Sequence, residues 1–241
     1  MNAAVLKERG FATSPCGGLA MSVHGLDTVM RPSGALWLAS EQTLVVADLH
    51  LEKGSAFATR GQLLPPYDSA ETLRRLAAEV AATQARTLIL LGDSFHDRQS
   101  EARMAAPDRE AILALAVGRT LVWVVGNHDA DGPAALPGEL ADTIDIGPVR
   151  LRHEPLPGQA AGEIAGHLHP CARLIGRGRS VRRRCFATDG HRLIMPAFGA
   201  YAGGLNIRDQ AFSGLFQGLP LAVALGADRV HPLGWNILGP D

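Results

Sequence analysis

An unbroken apolar run, Leu121 to Val125, ends abruptly in Gly126-Asn127-His128-Asp129. Apolarity without alternation reads as a strand buried on both faces, the kind found in α/β sheets covered by helices. Gly126 permits a sharp turn at its end. An amide, an imidazole and a carboxylate then stand at the carboxyl end of a buried strand, where open α/β sheets place their ligands. Taken alone, the tetrapeptide serves equally well as a polar turn capping a core strand. The remainder of the chain decides between the two.

The same arrangement occurs twice upstream. Ala35 to Ala39 and Thr43 to Asp48 read as strands across a Glu41-Gln42 turn, and the second ends in Asp48-Leu49-His50. Residues two apart on a strand share a side, so a carboxylate and an imidazole emerge together. Thr87 to Leu91 is a third buried strand, followed by Gly92-Asp93-Ser94-Phe95-His96-Asp97. Residues 51–66 read as a loop. Asp68 with Glu71 reads as a capping box for a helix whose apolar face is Leu73, Leu76, Ala77 and Val80. Pro107 to Val117 is a second helix, with its proline in the first turn. The first half is thus βαβαβ with right-handed crossovers.

Helices become scarce after about residue 135. Short strands are expected at 144–146 and 149–151, followed by His153. A strand from Glu163 ends in Gly166-His167-Leu168-His169. Strands at 181–188 and 192–196 flank Asp189-Gly190, a hairpin signal. Strands at 221–225 and 229–231 would close the fold. The pattern predicts an α/β protein of two packed sheets with helices outside the first. Residues 1–30 show no clear period and are expected to be a partly mobile extension before a single domain at 31–241.

Composition bears on the class of partner. The chain has 241 residues, 46% hydrophobic, and a net charge of −1, enough for a full core and without a global pull toward nucleic acid or membrane. Cys16, Cys171 and Cys185 are odd in number and far apart, so neither a disulfide framework nor a thiolate zinc site is expected, and a cytoplasmic setting fits. Lys7, Glu8 and Arg9 precede no sustained apolar run, so neither a signal peptide nor a membrane span is expected.

Five segments therefore carry polar tips: Asp48/His50, Asp93/His96, Asn127/His128/Asp129, His153 and His167/His169. All the donors are oxygen or imidazole, which suits manganese, iron or zinc rather than calcium. A single catalytic ion takes about three protein ligands. Seven candidates point to two ions, roughly 3.5–4 Å apart as in hydrolytic two-metal sites.

In this order the motifs resemble those of the calcineurin-like metallophosphoesterases: Asp-x-His, Gly-Asp, Gly-Asn-His-Asp, a lone His and Gly-His-x-His. The local wording is similar to one bacterial subgroup, the ligase-associated DNA endonucleases. It is carried by Ala-Asp-Leu-His-Leu-Glu-Lys-Gly at 47–54, Leu-Gly-Asp-Ser-Phe-His-Asp at 91–97, His-Glu-Pro at 153–155 and Gly-His-Leu-His-Pro at 166–170. The resemblance implies a four-layer αββα sandwich of two mixed sheets flanked by helices. It implies that Asp48, His50 and His169 bind one ion, that Asn127, His153 and His167 bind the other, and that Asp93 bridges them. The ions, manganese before zinc or iron, would ready a hydroxide for attack on a phosphodiester. His128 would serve the leaving oxygen with Asp129 orienting it, and Asn127 and His96 would contact substrate. The implied setting is DNA repair, alongside a helicase, a ligase and an exonuclease.

Arg173, Arg177, Arg179, Arg182, Arg183, Arg184 and Arg192 face one acid, Asp189, between residues 173 and 192. Arginine forks match phosphate oxygens, and the run reads as a rail for DNA, with Arg182 and Arg184 as substrate contacts. A solvated strand face is the plainer alternative. Nothing resembles a base-reading module, so single-stranded or flexible DNA of any sequence is the expected substrate. Two rivals remain. One is a hydrolase of small phosphodiesters or pyrophosphates, such as a cyclic nucleotide or a nucleotide-linked sugar lipid. The other is a non-catalytic scaffold, which would show substituted ligands.

Overall fold

A computed structural model describes residues 11–176 and 179–241. The first sheet has eight strands in chain order: β1 (Ala12–Thr13), β2 (Leu19–Val23), β3 (Leu26–Met30), β4 (Leu36–Leu38), β5 (Thr43–Ala47), β6 (Thr87–Leu91), β7 (Thr120–Val124) and β8 (Glu139–Ala141). β1 to β5 pair antiparallel, and β5 to β8 pair parallel. Among the described residues four helices belong to this half: α1 (Lys53–Ala58), α2 (Asp68–Thr83), α3 (Ser100–Arg103) and α4 (Ala106–Ala116).

The unbroken apolar strands are explained by two cores, one on each face. Leu44, Val46, Leu88, Leu90, Leu121 and Trp123 pack with Leu73, Leu76, Val80, Ile112 and Leu115 of α2 and α4. Their sequence neighbours Val45, Ala47, Ile89, Leu91, Val122 and Val124 pack with Leu151, Ile164, Phe186, Leu193 and Val223 of the second sheet. Alternate residues thus serve opposite layers, and both must be apolar.

The second sheet holds β9 (Thr143–Ile146), β10 (Val149–Arg152), β11 (Glu163–Ala165), β12 (Pro170–Gly176), β13 (Arg179–Thr188), β14 (Arg192–Ile194), β15 (Leu205–Asn206), β16 (Leu221–Leu225) and β17 (Val230–Leu233). Its order is β15-β12-β13-β14-β11-β10-β9, with β16 between β13 and β17. Both sheets mix parallel and antiparallel pairs, giving the expected α/β sandwich. The outermost layer, beyond the second sheet, consists of irregular chain with two short 3-10 turns, Gln210–Phe212 and Trp235–Ile237. The strand residues beneath are small, Ala172, Cys185, Ala187, Ala222 and Ala224, so Phe212, Leu215 and Phe216 can reach in from a thin covering.

Three expectations change. Residues 19–30 are not outside the folded unit: Leu19, Met21, Val23, Leu26 and Met30 are buried between the sheets. Their alternation is real but spans only three buried positions per strand, one of them Thr28. Residues 1–10, with Lys7, Glu8 and Arg9, lie outside the described residues, as does Arg177. The loop expected at 51–66 contains α1, whose buried positions Gly54 and Ala56 are too small to register as an apolar face. Asp68 does not cap α2. It lies inside the helix, and its buried Oδ2 accepts a hydrogen bond from the Gly54 N–H at 3.0 Å, fastening α1 to α2. Among the described residues no helix is long and apolar enough to cross a membrane.

The second sheet also buries an ion pair. Arg192 is completely enclosed, with Nε 2.9 Å from Glu163 Oε1. Its Nη1 donates to the carbonyls of Gly158 and Leu215, and its Nη2 to that of Leu156. The arginine expected to belong to a surface rail is thus a strut between loops. Removing one partner of such a pair strands the other charge. Arg192→Leu is expected to lower the unfolding free energy by about 3 kcal/mol. The urea midpoint measures this, and a value near wild type would mean that the pair contributes nothing.

Candidate metal centre

β5, β6 and β7 run parallel, so their carboxyl ends open on one side of the sheet. Beyond the strands the backbone ladder continues. Asp48 N–H donates to Gly92 O, His50 N–H to Asp93 O and Leu51 N–H to Ser94 O. Three glycines let the ligand segments touch. A Cβ at Gly92 would lie 2.2 Å from His153 Nδ1, one at Gly126 would lie 2.2 Å from the Asp93 nitrogen, and one at Gly166 would lie 2.5 Å from Asp48 Oδ2. Each motif glycine is therefore pressed against a candidate ligand from a different segment. Asp48, His50, Asp93, His167 and His169 all have left-handed backbones, with φ between 45° and 66°. Such conformations cost on the order of 1–3 kcal/mol each and persist where surrounding structure enforces them.

The side chains converge in overlapping groups. Asp48, His50 and His169 offer ligand atoms within 4.8 Å of one another, as do Asp93, His153 and His167. Asp93 also joins His50 and His128 in a third group, so it reaches both sides. His169 Nε2 is 3.2 Å from Asp48 Oδ1 and 3.3 Å from His50 Nε2. His153 Nε2 is 3.4 Å from Asp93 Oδ2 and 3.1 Å from His167 Nδ1. Ligands about 2.1 Å from a common ion at tetrahedral or octahedral angles lie about 3.0–3.4 Å apart. The donor set and its spacing fit divalent metal. Asp48, His50 and His169 would hold one ion, and Asp93, His153 and His167 the other. Asn127 is exposed on the adjoining Gly126–Asp129 turn.

Electrostatics prepares these donors. Asp48, His50, Asp93 and His153 are buried. Burial lowers the His50 imidazole to about 4, against the pull of Asp48. Burial, then the charge of His153, lowers His167. Burial works to raise Asp93, yet the hydrogen bond and charge of His153 hold it well below the usual carboxylate range. His153 itself is raised, because Asp93 and Asp48 outweigh its burial. At neutral pH, His50 and His167 are lone-pair donors beside an ionised Asp93.

The expected pairing of Asp129 with His128 is replaced by another arrangement. Asp129 is buried, and its carboxylate accepts from the Ser94, Phe95 and Gly126 N–H groups at 2.7, 3.2 and 3.0 Å. It fastens the turn after β7 to the turn after β6. The His128 backbone N–H donates to Asp93 Oδ1 at 2.9 Å, and its ring Nδ1 lies 2.9 Å from the His96 carbonyl. That contact places the Nδ1 proton on the carbonyl and leaves Nε2 turned to the site, 3.9 Å from Asp93 Oδ2. The His96 ring stacks on His128 with centroids 5.6 Å apart, and Phe57 packs at 5.8 Å on His96. Phe57 lay in the presumed loop, so the sequence reading missed it.

The arginines divide. Arg184 Nη1 donates to the carbonyls of Ala197 and Gly199 at 2.8 and 3.0 Å, so it supports a loop. Arg182 is exposed, donates to Gly204 O and has Nη1 3.6 Å from Asp241.

A sequence model of the family described as calcineurin-like phosphoesterase matches residues 42–181, a span that includes every candidate ligand. The crystal structure of the Pseudomonas putida nuclease MPE is similar over 90% of this chain and 100% of that one, with 27% identity and a TM-score of 0.68. Yfce, a phosphoesterase from E. coli, aligns over 80% of this chain and 98% of its own, at 16% identity and a TM-score of 0.40. Comparison with curated proteins finds no match.

If Asp129 is a fastener, Asp129→Asn should reduce unfolding free energy by about 1–3 kcal/mol, since a buried N–H loses its acceptor. The alkaline limb of the pH–rate profile, where a proton-donating His128 would lose its proton, should stay in place. A shifted limb with unchanged stability would instead restore Asp129 as the partner of His128.

Proposed function

The chain belongs to the calcineurin-like phosphoesterase family, and from that premise we propose that it is a DNA endonuclease cutting single-stranded or flexible DNA. Hydrolysis of phosphodiesters is the chemistry of the fold. The observation that carries the reading is the convergence of two Asp/His groups on one shared carboxylate, Asp93, with His128 at their open edge. Likeness over the full length of a nuclease supports nucleic acid as the substrate.

When bound, two divalent ions supply positive charge to a phosphoryl oxygen and lower the pKa of a water. Asp48 and Asp93 bring the negative charge that would retain them, and the neutral imidazoles of His50 and His167 complete the donor set without adding charge. Manganese is our choice of metal from this mixed set. His128 is the candidate for the leaving oxygen. Its Nδ1 is tied to the His96 carbonyl, so Nε2 is the nitrogen free to carry a proton to that oxygen. His96 acts through His128, by carbonyl and by stacking. Asn127, exposed on the same turn, can meet a phosphoryl oxygen or a metal. Lys53 and Arg60 are the cations whose charge is felt at His96, on the rim. Arg182 remains a candidate DNA contact. The reading includes a cytoplasmic role in repair beside a helicase, a ligase and an exonuclease, which rests on the motif resemblance.

Circular single-stranded DNA tests this directly, because it has no ends. Protein stripped of metal and given manganese should convert circles to linear strands and then to fragments, and chelator should stop it. Hydrolysis of bis(4-nitrophenyl) phosphate with circles left intact would replace the reading with a small-diester hydrolase.

A further inference from the structure

The underside of the metal centre carries a second basic feature. Residues 197–199 run beside the Asp48 turn. Phe198 N–H donates to Ala47 O, and Gly199 N–H donates to Asp48 O. The opposite side of this segment is held by two arginines. Arg184 reaches the Ala197 and Gly199 carbonyls through Nη1. Arg75 of α2 donates to Phe198 O at 3.1 Å and to Ser33 O at 2.9 Å, and its guanidinium lies 4.6 Å over the Phe198 ring. Both guanidiniums are partly buried, and the hydrogen bonds they make go to neutral carbonyls.

Beside them opens a cleft of about 810 Å³, lined by Arg31, Ser33, Arg75, Arg183, Arg184 and Asp228 among others. Two further acids on the wall, Glu79 and Glu71, are already engaged, by Arg31 and by Arg74 respectively. Arg75, Arg183 and Arg184 have no carboxylate within ion-pair distance among the described residues. Glu71 and Glu79 are close enough for their charges to be felt at Arg75, while Asp228, which is exposed, is in no ion pair among the described residues. Arg184 makes no hydrogen bond through Nε or Nη2 among the described residues, and exposed Arg183 touches only the Arg182 carbonyl. A neighbouring recess of about 390 Å³ is lined by Arg182, Arg183 and Arg184 and by Ala202 to Gly204, so Arg183 and Arg184 line both.

Three guanidiniums that stay charged at any working pH, with donors to spare and little counter-charge, form a receptor for a phosphate oxygen cluster. We infer that this cleft is an anion site occupied by a phosphodiester of the nucleic-acid strand, beyond the one held at the metal centre. Residues 197–199 link Asp48 to two of the cleft's arginines, Arg75 and Arg184. The inference rests on the proposed DNA substrate and names where the flanking strand lies. It moves the basic rail from the projecting face of β13 to the seam between β13 and α2.

Arg183→Glu tests it in the manganese-loaded enzyme, since this exposed side chain supports no buried group. Arg179→Glu, on the same strand but not on the cleft wall, is the charge-matched control. For a single-stranded oligonucleotide, Arg183→Glu should lower kcat/KM about tenfold at low salt, through KM. The slope of log kcat/KM against log salt should flatten by about 0.7 for one lost phosphate contact. Hydrolysis of bis(4-nitrophenyl) phosphate, too short to reach the cleft, should be unchanged, and Arg179→Glu should behave as wild type. Equal DNA kinetics in wild type and Arg183→Glu would overturn the inference while leaving the nuclease reading intact. If inorganic phosphate then raised the melting temperature of wild type but not of Arg183→Glu, the cleft would belong to a free anion, and the strand would be excluded. A wild-type protein that hydrolyses the small diester but not DNA would overturn the nuclease reading itself.

Discussion

Lone pairs are crowded at the carboxyl ends of β5 and β6. His50 and His169 bring ring nitrogens to 3.3 Å, His153 and His167 to 3.1 Å, and the Asp48 and Asp93 carboxylates lie among them, almost out of contact with water. Buried groups of this kind are costly unless a partner satisfies them. A pair of divalent cations would satisfy them all at once. Much of the surrounding structure can be understood as what holds these donors in place.

That restraint comes in layers. The parallel strands align the two carboxylate-bearing turns, and the glycines at 92, 126 and 166 remove the Cβ atoms that would separate them. Asp129 spends its carboxylate on three backbone N–H groups, locking the turn that bears Asn127 and His128 to the turn that bears Asp93. Below, the 197–199 segment is tied upward to Asp48 and downward to Arg75 and Arg184. Left-handed backbone at five candidate ligands is the visible consequence. Such strain is tolerated because so many independent contacts oppose its release.

What the sequence could disclose follows from how each signal arises. Strands buried on both faces must be continuously apolar, so β5, β6 and β7 stand out. The glycine before three of the polar tips, at 92, 126 and 166, is legible because close approach admits no other residue. Other features leave no such trace. β2 and β3 alternate for only three buried positions each, and one of these is Thr28. α1 buries a glycine and an alanine, which carry no periodic signal. An arginine that braces carbonyls is written with the same letter as one that meets DNA, so Arg192 is indistinguishable from Arg182 in the sequence. Adjacency likewise favoured His128 as the partner of Asp129, although three N–H groups at a turn offered its carboxylate better geometry. The cleft beside Arg75 joins segments from five parts of the chain and has no linear signature.

Metal stoichiometry bears most directly on this account. Protein loaded with excess manganese and freed of unbound ion should retain two equivalents per chain by elemental analysis, and Asp93→Asn, which replaces the shared carboxylate, should retain fewer. Wild-type protein that holds no manganese, or an Asp93→Asn variant that still holds two, would contradict it.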